Sequence, residues 1–207
     1  MLIDRPANDD QSVLDGRGQA ELLQEISLLR AALGKCASRI AELDRLANVD
    51  PLVELPNRRN FLSRLESSIS EVHRSDVEGA VLFLDVDGLK TINDKFGHEA
   101  GDKALVQVAR LLIASVRTGD MVARLAGDEF AILLERTDEL SAWRMALRVV
   151  EAVDDCRFCL DDVCVTLSVA VGVAMIKRED TPQAVIARAD REMYRIKAIS
   201  AAERPNR

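Results

Sequence analysis

The stretch Ala80-Val81-Leu82-Phe83-Leu84, apolar at every position and closing on Asp85-Val86-Asp87, limits this chain's fold more than any other feature. A run without polar alternation belongs to a strand buried on both faces, which needs sheet neighbours and helices over both sides. The flanking pattern supplies them. Phe61, Leu62, Leu65, Ile69 and Val72 recur at helical spacing before it, and Leu105, Val108, Leu111, Leu112 and Val116 after it. Strands over 121–125 and 130–134 flank Ala126-Gly127-Asp128-Glu129, which has the turn chemistry of a hairpin. A helix through Trp143 and Val149 follows, then strands near 156–160 and 163–175 joined at Asp161-Asp162. Thr181 and Pro182 open a last helix carrying Ile186, Ala189, Met193 and Ile196. Hairpins between neighbouring strands make the sheet largely antiparallel, so the class is α+β.

A different period governs the N-terminal part. Leu22, Ile26, Leu29, Leu33, Cys36, Ile40, Leu43 and Ala47 recur at alternating steps of four and three, one apolar seam held in register along a helix. The spacing predicts a two-stranded coiled coil over residues 17–48; an amphipathic helix lying on its own domain is the alternative. Asp50-Pro51 stops this helix, because proline lacks the backbone donor and clashes with the preceding turn. The expected organisation is an irregular N-terminus (1–16), a dimerisation helix (17–48), a globular domain (49–200) and a flexible tail (201–207).

Aromatic residues make up only 3% of the chain, so the core rests on Leu, Val, Ile and Ala. A formal net charge of −7 argues against general affinity for nucleic acid, whose backbone selects basic surfaces. No apolar run reaches the roughly 20 residues that span a bilayer, and the acidic start MLIDRPANDD lacks a signal peptide's apolar stretch. A cytoplasmic location is therefore expected. Cys156 and Cys159 fall in a segment read as a strand, at an odd separation that sends them to opposite faces. This disfavours zinc, and Cys156, Cys159 and Cys164 are expected to be ordinary buried thiols.

The acids suggest chemistry. Asp85 and Asp87 close the buried strand, while Asp128 and Glu129 sit on a hairpin tip. Carboxylates at a strand end and a neighbouring turn can converge on a hard cation such as Mg²⁺, which takes oxygen ligands. Each can equally end its strand in solvent, as acids in turns commonly do.

The surrounding segments resemble one family at four places. Residues 83–102, FLDVDGLKTINDKFGHEAGD, resemble the GGDEF-family run D-x-D-x-F-K-x-I-N-D-x-x-G-H-x-x-G-D, with Leu89 for Phe. Residues 124–130, RLAGDEF, resemble its signature R-x-G-G-D-E-F, with Ala126 for the first glycine. Residues 50–59, DPLVELPNRR, are similar to its opening D-P-L-T-G-L-P-N-R-R, and residues 189–197, ADREMYRIK, to A-D-x-A-L-Y-x-A-K. Ser200-Ala201 stand where the family continues Gly-Arg, and Ala170 stands for a glycine of S-I-G-V-A.

The resemblance implies a palm-like fold shared with nucleotide cyclases, a central antiparallel sheet flanked by helices. It implies a diguanylate cyclase that condenses two GTP into cyclic di-GMP and two pyrophosphate. Two Mg²⁺ per active site, with Mn²⁺ as an alternative, would be held by Asp85, the Val86 carbonyl, Asp128 and Glu129. Asp128 would serve as general base, Glu129 would assist the metal, and Lys90 would stabilise the transition state. Asn93, His98, Asp102, Lys197 and Gly127 would bind substrate, Asn93 and Asp102 reading the guanine edge. Arg117-Thr118-Gly119-Asp120 matches an inhibitory R-x-x-D site, at which Arg117 and Asp120 would bind the product. Each domain would hold half an active site, so the enzyme would work as a homodimer through residues 17–48, open to a signalling partner on the coil. A catalytically silent module that binds GTP or cyclic di-GMP and docks partners is the second reading.

Overall fold

The computed structural model describes residues 10–203 except Asp76 and the pair Asp161-Asp162, with side chains from residue 21 to 199. The chain divides into two compact units, residues 1–46 and 47–207. The first contributes one helix, α1 (Asp10–Asn48), which stops before Asp50-Pro51 as expected. Its start at Asp10 corrects the irregular assignment of 10–16. The seam residues from Leu22 to Leu43 are all exposed, Leu33 at 71% and Ile40 at 66%.

The second unit runs α2 (Arg58–Arg74), β1 (Gly79–Val86), α3 (Leu89–Phe96), α4 (His98–Ser115), β2 (Met121–Ala126), β3 (Glu129–Glu135), α5 (Glu139–Asp154), β4 (Arg157–Leu160), β5 (Val163–Thr166), β6 (Val169–Met175) and α6 (Pro182–Glu203). The central sheet has the order β2-β3-β1-β6, every pair antiparallel. The apolar run occupies β1, between β3 and β6. Its even-numbered residues Leu82 and Leu84 pack with Ile132, Phe130, Val108, Leu112 and Val149. The odd-numbered Val81 and Phe83 pack with Phe61, Leu65, Val185, Ala189 and Met193 on the opposite face. Both faces are covered, which is why the sequence shows no alternation there.

The second cover is tight because Gly172 lacks a side chain. A Cβ there would lie 2.1 Å from the Ala189 carbonyl oxygen and 2.2 Å from the Met193 nitrogen, so α6 rests directly on the β6 backbone.

Three further expectations are corrected. The segment read as one strand over 163–175 is two: β5 pairs only with β4 in a separate two-stranded sheet, and β6 joins the central one. The break at Leu167-Ser168 is set by Ser168, whose carbonyl oxygen accepts the Asp87 N–H at 2.9 Å. Helix α6 continues to Glu203, so 201–203 are helical and not tail. The cysteines are not all buried thiols. Cys159 and Cys164 are exposed and form a disulfide. The strand starts at Arg157, and hairpin register sets Cys159 opposite Cys164. The connecting pair Asp161-Asp162 lies outside the described residues.

Candidate active site

Two adjacent strands bring the acids together. In the β1–β3 ladder Asp85 pairs with Glu129, and the Val86 N–H donates to the Asp128 carbonyl at 3.1 Å. The β2–β3 turn is Gly127-Asp128, with Gly127 in the left-handed region at φ 46°. Ala126, exposed at the end of β2, has no positive φ, so its methyl group carries no left-handed strain. Arg124 braces the turn: Nε and Nη2 donate to the Gly127 carbonyl at 3.0 and 2.7 Å, and Nη1 donates to Asp50 Oδ1 at 3.1 Å.

Opposite these acids α6 presents Lys197, its ammonium 2.5 Å from Asp85 Oδ1 and 2.8 Å from Asp87 Oδ1. Burial alone would lower the Lys197 pKa, but hydrogen bonds and charge attraction from Asp85 and Asp87 outweigh it and raise it. Asp87 is steadied by the Ser168 hydroxyl, which donates to Oδ2 at 3.3 Å. Burial pushes the Glu129 carboxyl up; Arg58 opposes this, while Asp128, Asp190 and Asp85 add to it. Glu129 lines a cleft of about 300 Å³ with Arg58, Phe83, Gln183 and Asp190.

On the helical side of the sheet, Asn93 of α3 tucks against α4. Its Oδ1 is buried and, among the described residues, has no hydrogen-bond partner, an arrangement that normally costs about 1–3 kcal/mol. Gly101 creates the room, since a Cβ there would sit 1.9 Å from that oxygen. His98 opens α4 and Asp102 follows one turn later on the same face, both exposed. Lys90 is exposed in the first turn of α3.

A hard cation suits this donor set. Asp85 and Asp87 already hold an ammonium between them, and Glu129 sits among acids that hinder its ionisation. Among the described residues no three His, Cys, Asp or Glu side chains close on one point. Mg²⁺ usually takes one or two protein carboxylates and completes its shell with water and substrate phosphates.

Arg117-Thr118-Gly119-Asp120 forms the turn from α4 into β2. The Asp120 N–H donates to the Arg117 carbonyl at 3.1 Å, and the Arg117 N–H donates to Asp120 Oδ2 at 3.2 Å. The Asp120 side chain is only 3% exposed and anchors the turn, while the Arg117 guanidinium is 62% exposed. Arg117, Arg144 and Arg148 line one cleft of about 640 Å³. Arg144 and Arg148 escaped the sequence reading; their four-residue spacing marks one helix face, but only the fold brings that face to Arg117. Arg58, Asp190 and Ser168 were missed for the same reason, since each acts through a side chain remote in sequence.

Residues 47–202 match the family described as "Diguanylate cyclase, GGDEF domain". The chain is 37% identical over 187 residues to the bifunctional diguanylate cyclase/cyclic di-GMP phosphodiesterase MucR of Pseudomonas aeruginosa, covering 90% of this chain and 26% of MucR. The chain spans between about a quarter and two fifths of the length of MucR, DgcP and TpbB of P. aeruginosa. The solved coiled coil and GGDEF domain of DgcB from Caulobacter crescentus superposes with a TM-score of 0.79 at 23% identity, covering 90% of this chain and 96% of that one. The diguanylate cyclase SiaD of P. aeruginosa, solved in complex with its activator SiaC, gives 0.71 at 27% identity, covering 91% and 74%. Among the described residues no helix is long and apolar enough to cross a membrane. With antiparallel sheet, acidic hairpin and matched sequence in agreement, this chain belongs to the GGDEF family of diguanylate cyclase domains.

Proposed function

We propose that the chain is a diguanylate cyclase that joins two GTP into cyclic di-GMP and releases two pyrophosphate. The observation that supports this reading is the pairing of Asp85 with Glu129 across neighbouring strands, Asp128 in the adjoining turn, beside the Lys197 ammonium that Asp85 already holds. Asp85, the Val86 carbonyl, Asp128 and Glu129 are the donors for Mg²⁺ or Mn²⁺. Two such ions, when bound with nucleotide, would polarise the α-phosphorus and offset charge on leaving pyrophosphate. Lys197 trades Asp85 and Asp87 for the triphosphate, and exposed Lys90 stabilises charge developing in the transition state. Asp128 takes the proton of the attacking 3′-hydroxyl. Asn93 Oδ1 accepts from the guanine edge, and Asp102 beside it accepts from N1–H and the exocyclic amine. His98 and Gly127 line the same nucleotide.

One domain binds one GTP, so the attacking hydroxyl and the α-phosphate must come from facing subunits. The exposed seam on α1 provides the clamp, since apolar residues at heptad spacing bury their surface only against another helix. In this reading residues 17–48 dimerise, 49–200 catalyse, and a partner on the coil supplies the signal. Use of GTP places the activity in the cytoplasm. Product inhibition fits the cleft of Arg117, Arg144 and Arg148, whose guanidinium groups suit phosphate and guanine acceptors. Asp120 holds Arg117 in place.

One observation favours the catalytically silent alternative: Ala201 provides no guanidinium where the family pattern has arginine. A single experiment separates the readings. The dimer is incubated with GTP and Mg²⁺, and cyclic di-GMP and pyrophosphate are followed by chromatography. Product from the wild type and none from Asp128→Asn supports catalysis. Nucleotide binding without turnover in a verified dimer overturns it.

A further inference from the structure

The β4–β5 hairpin carries chemistry that the proposed reaction does not use. Cys159 and Cys164 face each other across it, Cα atoms 3.9 Å apart, joined by a disulfide. Both are exposed, and exposed disulfides are the ones that exchange readily with small thiols. The hairpin has four residues in each strand and, among the described residues, pairs with no other sheet. An isolated two-stranded ribbon is marginal in water. Among the hairpin's described residues Phe158 alone is buried, with Leu160 and Val165 half-buried, so its own apolar contacts are few. Cys156 lies outside the strands, half-buried, its sulfur accepting from Gln107 Nε2 at 3.4 Å; register excludes it from the pair.

The hairpin is connected to the acidic turn. After β5 the chain passes through buried Leu167 to Ser168, which takes the Asp87 N–H on its carbonyl and donates its hydroxyl to the Asp87 carboxylate. Ser168, which holds Asp87, lies two residues beyond the end of β5.

We propose that Cys159 and Cys164 form a thiol–disulfide exchange site, closed by a low-molecular-weight disulfide and reopened by a small thiol, whose state sets the order of the hairpin and of the Asp87 turn. In the closing direction one cysteine gives its proton to solvent and its thiolate attacks a sulfur of the small disulfide. A mixed disulfide forms and one small thiol leaves. The second cysteine, likewise deprotonated, attacks the protein sulfur and expels the other small thiol. The two cysteines are oxidised by two electrons, and the small disulfide is reduced to two thiols. This inference stands on the hairpin and does not depend on cyclase activity.

The test uses the full chain, reduced with dithiothreitol and then equilibrated in mixtures of glutathione and glutathione disulfide. Non-reducing peptide mapping reads the pairing, and amide hydrogen exchange reads the order. Cys159 and Cys164 should link reversibly while Cys36 and Cys156 form no disulfide with either of them. Amides of β4 and β5 should exchange on the order of tenfold more slowly when oxidised, and the Asp87 amide should slow with them. Folded Cys159→Ser and Cys164→Ser proteins should keep the faster exchange in every mixture. Continued alkylation of Cys159, or its pairing with Cys156 or Cys36, overturns the site. Equal exchange in both states, or protection that stops short of Asp87, overturns the coupling.

Discussion

Gly172→Ala tests how the α6–β6 contact governs the site. The added Cβ would meet the Ala189 carbonyl oxygen at 2.1 Å, the Met193 nitrogen at 2.2 Å and the Met193 Cα at 2.8 Å. All three are backbone atoms of one helix, so no side chain can swing aside. Restoring van der Waals separation requires α6 to retreat from β6 by roughly 1 Å. Overpacking of this kind costs about 1–3 kcal/mol, or roughly 2–12 °C in Tm for a domain of this size. The effect should also reach chemistry. Lys197 lies one turn beyond Met193, and retreat of the helix draws its ammonium from its position 2.5 Å from Asp85. Misplacing a charged group by about 1 Å can cost about a hundredfold in rate. Thermal melting followed by circular dichroism measures the first effect, and chromatography of cyclic di-GMP the second. A Tm within about 1 °C of wild type together with unchanged turnover would refute the packing argument.

Glu54 stands at φ 56°, where the family pattern has glycine, so Glu54→Gly should raise stability by about 1 kcal/mol; a urea midpoint that stays put or falls contradicts this. Gly101→Ala drives a methyl group into Asn93 Oδ1, so GTP affinity should fall on the order of tenfold with little change in Tm; calorimetric titration giving wild-type affinity would remove Asn93 from the nucleotide pocket. Arg117→Ala should relieve inhibition by added cyclic di-GMP without lowering uninhibited turnover, and an unchanged inhibition curve would rule out the arginine cleft as the product site. Burial pushes the Asp180 carboxyl up, but hydrogen bonds from Arg188 and the Lys177 N–H outweigh it and hold it below its ordinary range. A depressed carboxyl stabilises the fold fully above its unfolded pKa of about 3.8 and loses that contribution as pH falls through the folded value. Asp180→Asn should therefore flatten the acid side of the stability curve below about pH 4, and urea midpoints that fall as steeply as in the wild type would contradict the pairing.

The sheet was legible because burial of β1 on both faces leaves a composition that few other elements share. The signature hairpin was legible because Gly127 supplies the one conformation its turn requires. Local pattern could not divide 163–175, since Val163–Thr166 and Val169–Met175 both read as strand. The break depends on Ser168 finding Asp87, far away in sequence. Lys197 could be named from its motif, but its hold on Asp85 arises only when α6 settles on Gly172. The disulfide was within reach of register reasoning: with Leu160 opposite Val163, the next pair outward is Cys159 and Cys164. The separation of Cys156 and Cys159 carries no such information, because Cys156 lies outside the strand.

Arg124 gives the domain an economy of mechanical parts. A single guanidinium grips Asp50, in the segment by which the chain enters the domain, and the Gly127 carbonyl, at the base of the acidic turn. Asp50 Oδ1 also receives the N–H groups of Leu52 and Val53, so that entry segment is itself knotted tight. Slack has been removed between doorway and workbench: a displacement at the first must either travel to the second or tear the grip that joins them.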